Sequence, residues 1–264
     1  MARIGVAATG SFGADVLARL AERHEVAFCL TRPDRPAGRG RRIVSPPAKE
    51  TADRLGIPIL QPERLDASLA LPADTIVACA YGVLVPPPLL ERHLWLNVHP
   101  SLLPRWRGAA PVERAIMAGD NETGVTVIKL VEELDAGPVA AQRAFPIEPD
   151  DDAGAVYAKA AAVAVELLDS VLARPLSFRP QQGEPTYAAK ITAHDREIDW
   201  SRPAEELART VRALSPHIGA RATLHGRRVT IWKARVEGGR LVPVEVQPEG
   251  RRRMTYEAFL RGLR

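Results

Sequence analysis

Asn97 and His99 stand two residues apart at the end of an apolar run, followed directly by Pro100-Ser101-Leu102-Leu103-Pro104-Arg105-Trp106-Arg107-Gly108. On an extended segment, side chains two apart share a face, so the carboxamide and the imidazole converge while Val98 turns the other way. A neutral imidazole can take a proton from an amine, and a carboxamide N–H can stabilise a developing oxyanion. Asp135, in Leu134-Asp135-Ala136-Gly137, follows another apolar run, and Gly137 is expected to let the chain turn there so that the carboxylate orients His99. Amide, imidazole and carboxylate together suit attack by an amine on an activated carbonyl. Read singly, the same residues serve equally as local loop caps and a surface acidic turn.

Two neighbouring segments extend this candidate site. Ser101, Leu102, Leu103 and Pro104 offer apolar walls and backbone polar groups that suit a flat heterocycle, and Tyr81, Gly82 and Leu84 are placed to supply the opposite wall. Arg32 to Arg42 carries five arginines and one aspartate among prolines and glycines. It reads as a polar loop whose cations suit a phosphate backbone, or as a solvated surface.

The elements needed to position these groups follow from pattern. Ile4–Ala8, Val26–Leu30, Thr75–Ala80 and Trp95–Val98 read as strands, and Ala14–Arg23 and Pro47–Leu55 as helices. This alternation predicts an α/β domain with a mostly parallel, Rossmann-like sheet, whose strand ends are where such folds place their sites. Thr9-Gly10-Ser11-Phe12-Gly13 lacks the spacing of a dinucleotide-binding turn, and Arg32 stands where the ribose-binding acid would be. Further on, Gly124–Leu130 and Pro138–Ile147 read as strands. Asp150-Asp151-Asp152 opens a long Ala-rich helix reaching Leu172 and suits its N-terminal end better than a metal. We divide the chain into a catalytic domain at 1–173, a Pro/Gly-rich linker at 174–202, and a small β-rich domain at 203–264.

Composition narrows the class. The chain has 264 residues, 46% apolar and 26% charged, ordinary for a globular protein, with a formal net charge of +4 that permits a polyanionic partner. Its two cysteines, Cys29 and Cys79, lie in apolar runs without disulfide or zinc spacing, so they read as small buried hydrophobes and no metal site is expected. There is no signal-peptide pattern and no apolar run long enough to span a bilayer. A cytoplasmic enzyme, with no membrane association and acting as a monomer, is expected.

The run Asn97 to Pro104 resembles the core motif of the folate-dependent formyltransferases, and Arg105-Trp106-Arg107-Gly108-Ala109-Ala110-Pro111 resembles the narrower mark of the branch that acts on tRNA. Arg32–Arg41, Glu122–Thr126, Leu134–Gly137, Tyr187–Ile191, Ile198–Trp200, Val229–Ala234 and Gln247–Met254 add matches along nearly the whole chain. The resemblance implies formyl transfer from 10-formyltetrahydrofolate, as donor co-substrate, to the α-amino group of methionine on initiator tRNA. It implies Asn97, His99 and Asp135 as the catalytic trio and Ser101 to Pro104 as a folate-contacting segment. Arg35, Arg39, Arg41 and Arg42 fall on the family's loop that meets the tRNA acceptor arm. It also implies an OB-like C-terminal domain, here shortened, because little room remains between Arg235 and Leu241. The alternatives are a formyltransferase acting on a small amine, such as an amino sugar or glycinamide ribonucleotide, and a non-catalytic nucleic-acid-binding module.

Overall fold

The computed structural model describes residues 1–37 and 42–263. In chain order the elements are β1 (Arg3–Ala8), α1 (Ser11–Ala21), β2 (Glu25–Leu30), β3 (Arg35–Ala37), β4 (Arg42–Val44), α2 (Pro47–Leu55), β5 (Ile59–Leu60), β6 (Thr75–Cys79), α3 (Pro87–Arg92) and β7 (Leu94–His99). There follow β8 (Arg107–Gly108), α4 (Pro111–Ala118), β9 (Glu122–Lys129), β10 (Val139–Pro146), α5 (Ala153–Leu172) and β11 (Tyr187–Ala188). The chain closes with α6 (Ala204–Leu214), β12 (Ala220–Leu224), β13 (Arg227–Glu237), β14 (Arg240–Pro248), β15 (Met254–Thr255) and α7 (Tyr256–Arg261). They divide between two compact units, Met1–Arg107 with Gly124–Ala144 and Ala158–Thr186, and Gly108–Thr123 with Phe145–Tyr157 and Tyr187–Arg264.

The first unit is built on a seven-stranded sheet in the order β10-β9-β7-β6-β1-β2-β5. β1 pairs in parallel with β2 and β6, β2 with β5, and β6 with β7. β9 joins β7 antiparallel, so the sheet is mostly parallel, as its sequence pattern predicts. The central strands are apolar throughout rather than alternating, because both faces of such a sheet are covered. The chain builds β2 and β5 on one side of β1, then crosses back to build β6 and β7 on the other. That reversal makes a topological switch point at the carboxyl ends of β1 and β6, the place where open α/β sheets bind ligands. Across it, Gly10 N–H donates to the Ala80 carbonyl at 3.3 Å and Thr9 Oγ1 to the Tyr81 carbonyl at 2.9 Å. α1 buries Phe12, Val16, Leu17 and Leu20 against the sheet. Gly13 permits this approach, since a Cβ there would collide with the Cys79 carbonyl oxygen.

The second unit carries a four-stranded antiparallel sheet in the order β12-β13-β14-β15. β13 and β14 are joined by Gly238 and Gly239, with φ of 56° and 70°, the backbone of a two-residue hairpin turn that only glycine adopts without strain. α6 lays Leu207, Val211 and Leu214 on this sheet, against Ala220, Val229, Ile231 and Val246, with Phe259 of α7 completing the core. The described residues thus form an antiparallel sheet of four strands, in keeping with the small, shortened β domain expected from the sequence. The Asp150–Asp152 run does begin a helix: Asp152 Oδ1 accepts from Ala155 N–H at 2.9 Å, capping α5. Among the described residues, no helix is long and apolar enough to cross a membrane.

Two segments differ from expectation. The basic stretch expected to be a loop contains an antiparallel strand pair, with Arg35 opposite Val44 and Pro36 opposite Ile43. The segment 174–202, expected as a linker, is tied down at several points: Arg179 and Val139 exchange backbone hydrogen bonds of 2.7 and 2.9 Å, and Ile198 is buried in the core of the second unit.

Candidate active site

β7 ends at His99, and its alternation brings Asn97 and His99 to one carboxylate. Asn97 Nδ2 donates to Asp135 Oδ1 at 3.2 Å, and His99 Nδ1 stands 3.6 Å from Asp135 Oδ2. Each oxygen of Asp135 thus faces one of the pair. On its other side, His99 Nε2 bonds the Trp106 carbonyl oxygen at 2.8 Å. A carbonyl only accepts, so Nε2 carries the hydrogen there. An imidazolium in this place has an oxygen acceptor at each nitrogen. His99 and Asp135 are 4% and 8% exposed, which strengthens charge interactions between them by excluding water.

The backbone around His99 is unusual on both sides. Asp135 has φ of 49° and Trp106 has φ of 64°, left-handed conformations that side chains other than glycine adopt at a cost. The turn expected at Gly137 is made by Asp135 itself. Gly137 is required for clearance instead, because a Cβ there would collide with the Lys129 carbonyl.

The Ser101–Pro104 segment is held from below by residues that sequence reasoning missed. Thr126, opposite His99 in the β7–β9 register, is wholly buried. Its hydroxyl donates to the Ser101 carbonyl at 2.7 Å and accepts from Leu103 N–H at 3.1 Å and Gln142 Nε2 at 2.9 Å. Gln142 Nε2 also donates to the Leu103 carbonyl at 2.9 Å. Ser101 turns its hydroxyl to the Arg105 carbonyl, and Leu103 packs with Ile128 and Val139. The Leu103 side chain is therefore core, Pro104 is buried as well, and the half-buried Leu102 packs over Gly124. Likewise the Tyr81 side chain packs in the core with Phe28 and Leu30, and burial pushes its hydroxyl up to about 12. Gly82, with φ of 66°, and Leu84, 81% exposed, remain at the surface.

Gln181, also missed, joins the loops. Its Nε2 donates to the carbonyls of Asp135 at 2.7 Å and Gly137 at 2.9 Å, and its Oε1 accepts from Arg107 Nε at 3.2 Å and Nη2 at 2.8 Å. Arg107 also pairs with Glu133 at 3.2 Å, so its side chain is spent inside this network, while Arg105 lies exposed over the Trp106 ring. Thr126 is discoverable in sequence once the β7–β9 register is known. Gln181 lies in a Pro/Gly-rich stretch with no periodic signal.

In the basic stretch, Arg35 is exposed, whereas Asp34 is inward and fixes the base of the strand pair. Hydrogen bonds from Gln61 and Lys49, then Ser45, hold its carboxyl below the usual range. Arg39 and Arg41 lie outside the described residues; for Arg42 only the backbone is described, on β4. Both cysteines are free and buried, and burial pushes the Cys29 thiol up to about 12 and the Cys79 thiol higher still, which leaves neither a nucleophile.

Comparison with known proteins identifies the family. Residues 2–172 match the formyl transferase family, and residues 190–241 match its C-terminal domain. The chain is 36% identical over 299 aligned residues to a methionyl-tRNA formyltransferase from Listeria monocytogenes, covering 99% of this chain and 96% of the relative. It is 44% identical over 254 residues to one from Halorhodospira halophila, covering 90% and 81%. In three dimensions it resembles the methionyl-tRNA formyltransferase from Clostridium thermocellum, with a TM-score of 0.67, 15% identity, and coverage of 94% of this chain and 99% of that one. It also resembles HypX from Aquifex aeolicus in complex with tetrahydrofolic acid, with a TM-score of 0.67 and 19% identity, covering 98% of this chain but only 46% of HypX. The chain belongs to the formyl transferase family, with that family's two domains in the same order along it.

Proposed function

We propose that this protein transfers the formyl group of 10-formyltetrahydrofolate to the α-amino group of methionine on initiator tRNA. The observation that carries this reading is the sharing of one buried carboxylate, Asp135, by Asn97 and His99 at the carboxyl end of β7. The folate supplies a formyl carbon activated by its link to nitrogen. As the incoming amine replaces the Trp106 carbonyl at Nε2, the ring's single hydrogen moves to Nδ1, which faces Asp135, and the freed Nε2 lone pair takes the amine proton while the amine nitrogen bonds to the formyl carbon. Asp135 faces the positive charge then created on the ring. Asn97 Nδ2 has two hydrogens; one goes to Asp135 and the second to the formyl oxygen as it becomes negative. The imidazolium returns its proton to the folate nitrogen as the carbon–nitrogen bond there breaks, so the amide product and tetrahydrofolate leave with atoms and charge balanced.

In this reading the folate ring lies between the Ser101–Pro104 backbone, with Leu102, and the Gly82–Leu84 turn. The basic stretch of the sequence, through Arg35, Arg39, Arg41 and Arg42, meets the tRNA backbone. These substrates belong to protein synthesis and place the enzyme in the cytoplasm. The test is incubation with 10-formyltetrahydrofolate and methionyl initiator tRNA, alongside free amino-sugar nucleotides. Formyl-methionyl-tRNA is the expected product. Turnover of a free amine with none of tRNA would replace this reading by that of a small-amine formyltransferase.

A further inference from the structure

Gln181 and Thr186 lie in a stretch that neither family domain match reaches, between residues 172 and 190. Both nevertheless act on the groups that flank His99. Gln181 holds the Asp135 side. All four hydrogen-bonding positions of its amide are used: two N–H groups on the carbonyls of Asp135 and Gly137, and Oε1 on two nitrogens of Arg107. This fixes the amide's orientation, since turning it over would set oxygen against two carbonyls and NH2 against a guanidinium. Thr186 holds the Trp106 side. Its Oγ1 accepts from Trp106 N–H at 2.9 Å, its carbonyl accepts from Arg107 N–H at 2.8 Å, and its N–H donates to the Pro104 carbonyl at 3.2 Å. The stretch between them is anchored upstream by the reciprocal Arg179–Val139 bonds.

We infer that Gln181 and Thr186 are positioning residues, which form a strap that sets Asp135 and the Trp106 carbonyl on opposite nitrogens of His99. Asp135 and Trp106 are the two non-glycine residues of this loop cluster with left-handed backbones, at φ of 49° and 64°, and each is held by a strap side chain through its own peptide group. Such conformations persist only where surrounding bonds over-determine them. The strap supplies those bonds without offering the substrate any group of its own. Arg107 links its two ends, donating its side chain to Gln181 and its backbone N–H to Thr186.

This inference rests on the assignment of His99 and Asp135 as catalytic, so the experiment carries both. Full-length Gln181→Glu, Thr186→Val and Thr186→Ser are compared with His99→Ala and Asp135→Asn for formylation of methionyl initiator tRNA, with kcat, both KM values, the pH dependence of kcat and the melting temperature measured for each. Gln181→Glu keeps the size but turns an oxygen on the carbonyls of Asp135 and Gly137. A displacement near 1 Å at a reacting group costs about 100-fold, so kcat should fall about 10- to 100-fold with KM within about threefold. The acid limb of the pH profile should move, because Asp135 no longer faces His99 squarely. Thr186→Val should lose kcat and Thr186→Ser should recover it, a contrast that remains informative if Gln181→Glu fails to fold. Wild-type kcat and pH profile in Gln181→Glu and Thr186→Val, with His99→Ala inactive, would overturn the strap and leave the catalytic assignment standing. Equal losses in Thr186→Val and Thr186→Ser would likewise overturn it. Normal turnover in His99→Ala would remove the catalytic assignment and the strap's role with it.

Discussion

Thr126 offers the sharpest test of how the site is supported. Replacing it by valine keeps the volume and removes one hydroxyl that makes three hydrogen bonds in a wholly buried position. Gln142 retains a partner in the Leu103 carbonyl. The Ser101 carbonyl and the Leu103 N–H lose theirs, and each buried group left unpaired costs about 1–3 kcal/mol. Thr126→Val should therefore lose about 2–6 kcal/mol, a large share of the roughly 5–15 kcal/mol that holds a typical domain folded. Thr126→Ser keeps the hydroxyl and loses one methyl, worth about 1 kcal/mol with its small cavity. Urea unfolding of the two variants gives the comparison, with hydrogen exchange at Leu103 N–H reporting whether the loss is local. If the valine protein proves as stable as the serine protein, the polar hub does not hold this segment and packing alone does.

Other expectations are as direct. His99→Ala should reduce kcat for formyl transfer by about 100- to 10,000-fold in protein that remains folded; near-normal turnover would remove His99 as the base. Neutralising Arg35, Arg39, Arg41 and Arg42 together should raise KM for tRNA and flatten its dependence on salt, and an unchanged salt slope would return this segment to a solvated surface. Hydrogen bonds from Arg114, helped by Thr192, hold the Asp195 carboxyl well below the usual range. Its contribution to stability is thus present above about pH 4 and lost as pH falls below it. Asp195→Asn should flatten that acid limb in melting curves, and parallel limbs would contradict the pairing. Glu113 is the opposite case, with burial raising its carboxyl despite the hydrogen bond from Tyr157. Ionising it opposes folding, so Glu113→Gln should be the more stable protein at pH 7, with the difference gone below about pH 4; a less stable Gln variant at pH 7 would show that the ionised group is well paired.

Much of this could be read before any coordinates. Continuous apolar runs identify the buried parallel strands, and the two-residue spacing of Asn97 and His99 puts both on one face of β7. That Asp135, 38 residues beyond Asn97, is their common partner follows from its type but not from any local pattern. Prolines hid the strand pair at Arg35 and Arg42, because proline usually marks loops and is tolerated only at strand edges. Residue type alone assigns Leu103 and Tyr81 to walls, whereas each points inward, a direction set by backbone turns that no periodicity announces. The segment of Gln181 and Thr186 reads as a linker in sequence for a related reason: it is held by side-chain-to-backbone hydrogen bonds, which leave no repeating hydrophobic signature.

The strap also has a consequence for the order in which the protein is made. Gln181 follows its partner Asp135 by 46 residues, and Thr186 follows Trp106 by 80. Synthesis runs from the N-terminus, so Asn97, His99 and Asp135 leave the ribosome well before the residues that hold their surroundings. Pairings so distant in sequence are slow to close. A nascent chain released at Leu172 would contain every reacting group and the whole of the central sheet, yet neither Asp135 nor Trp106 would have its clasp. On the proposed roles of Gln181 and Thr186, competence for transfer is acquired late in translation, after the central sheet has its full sequence.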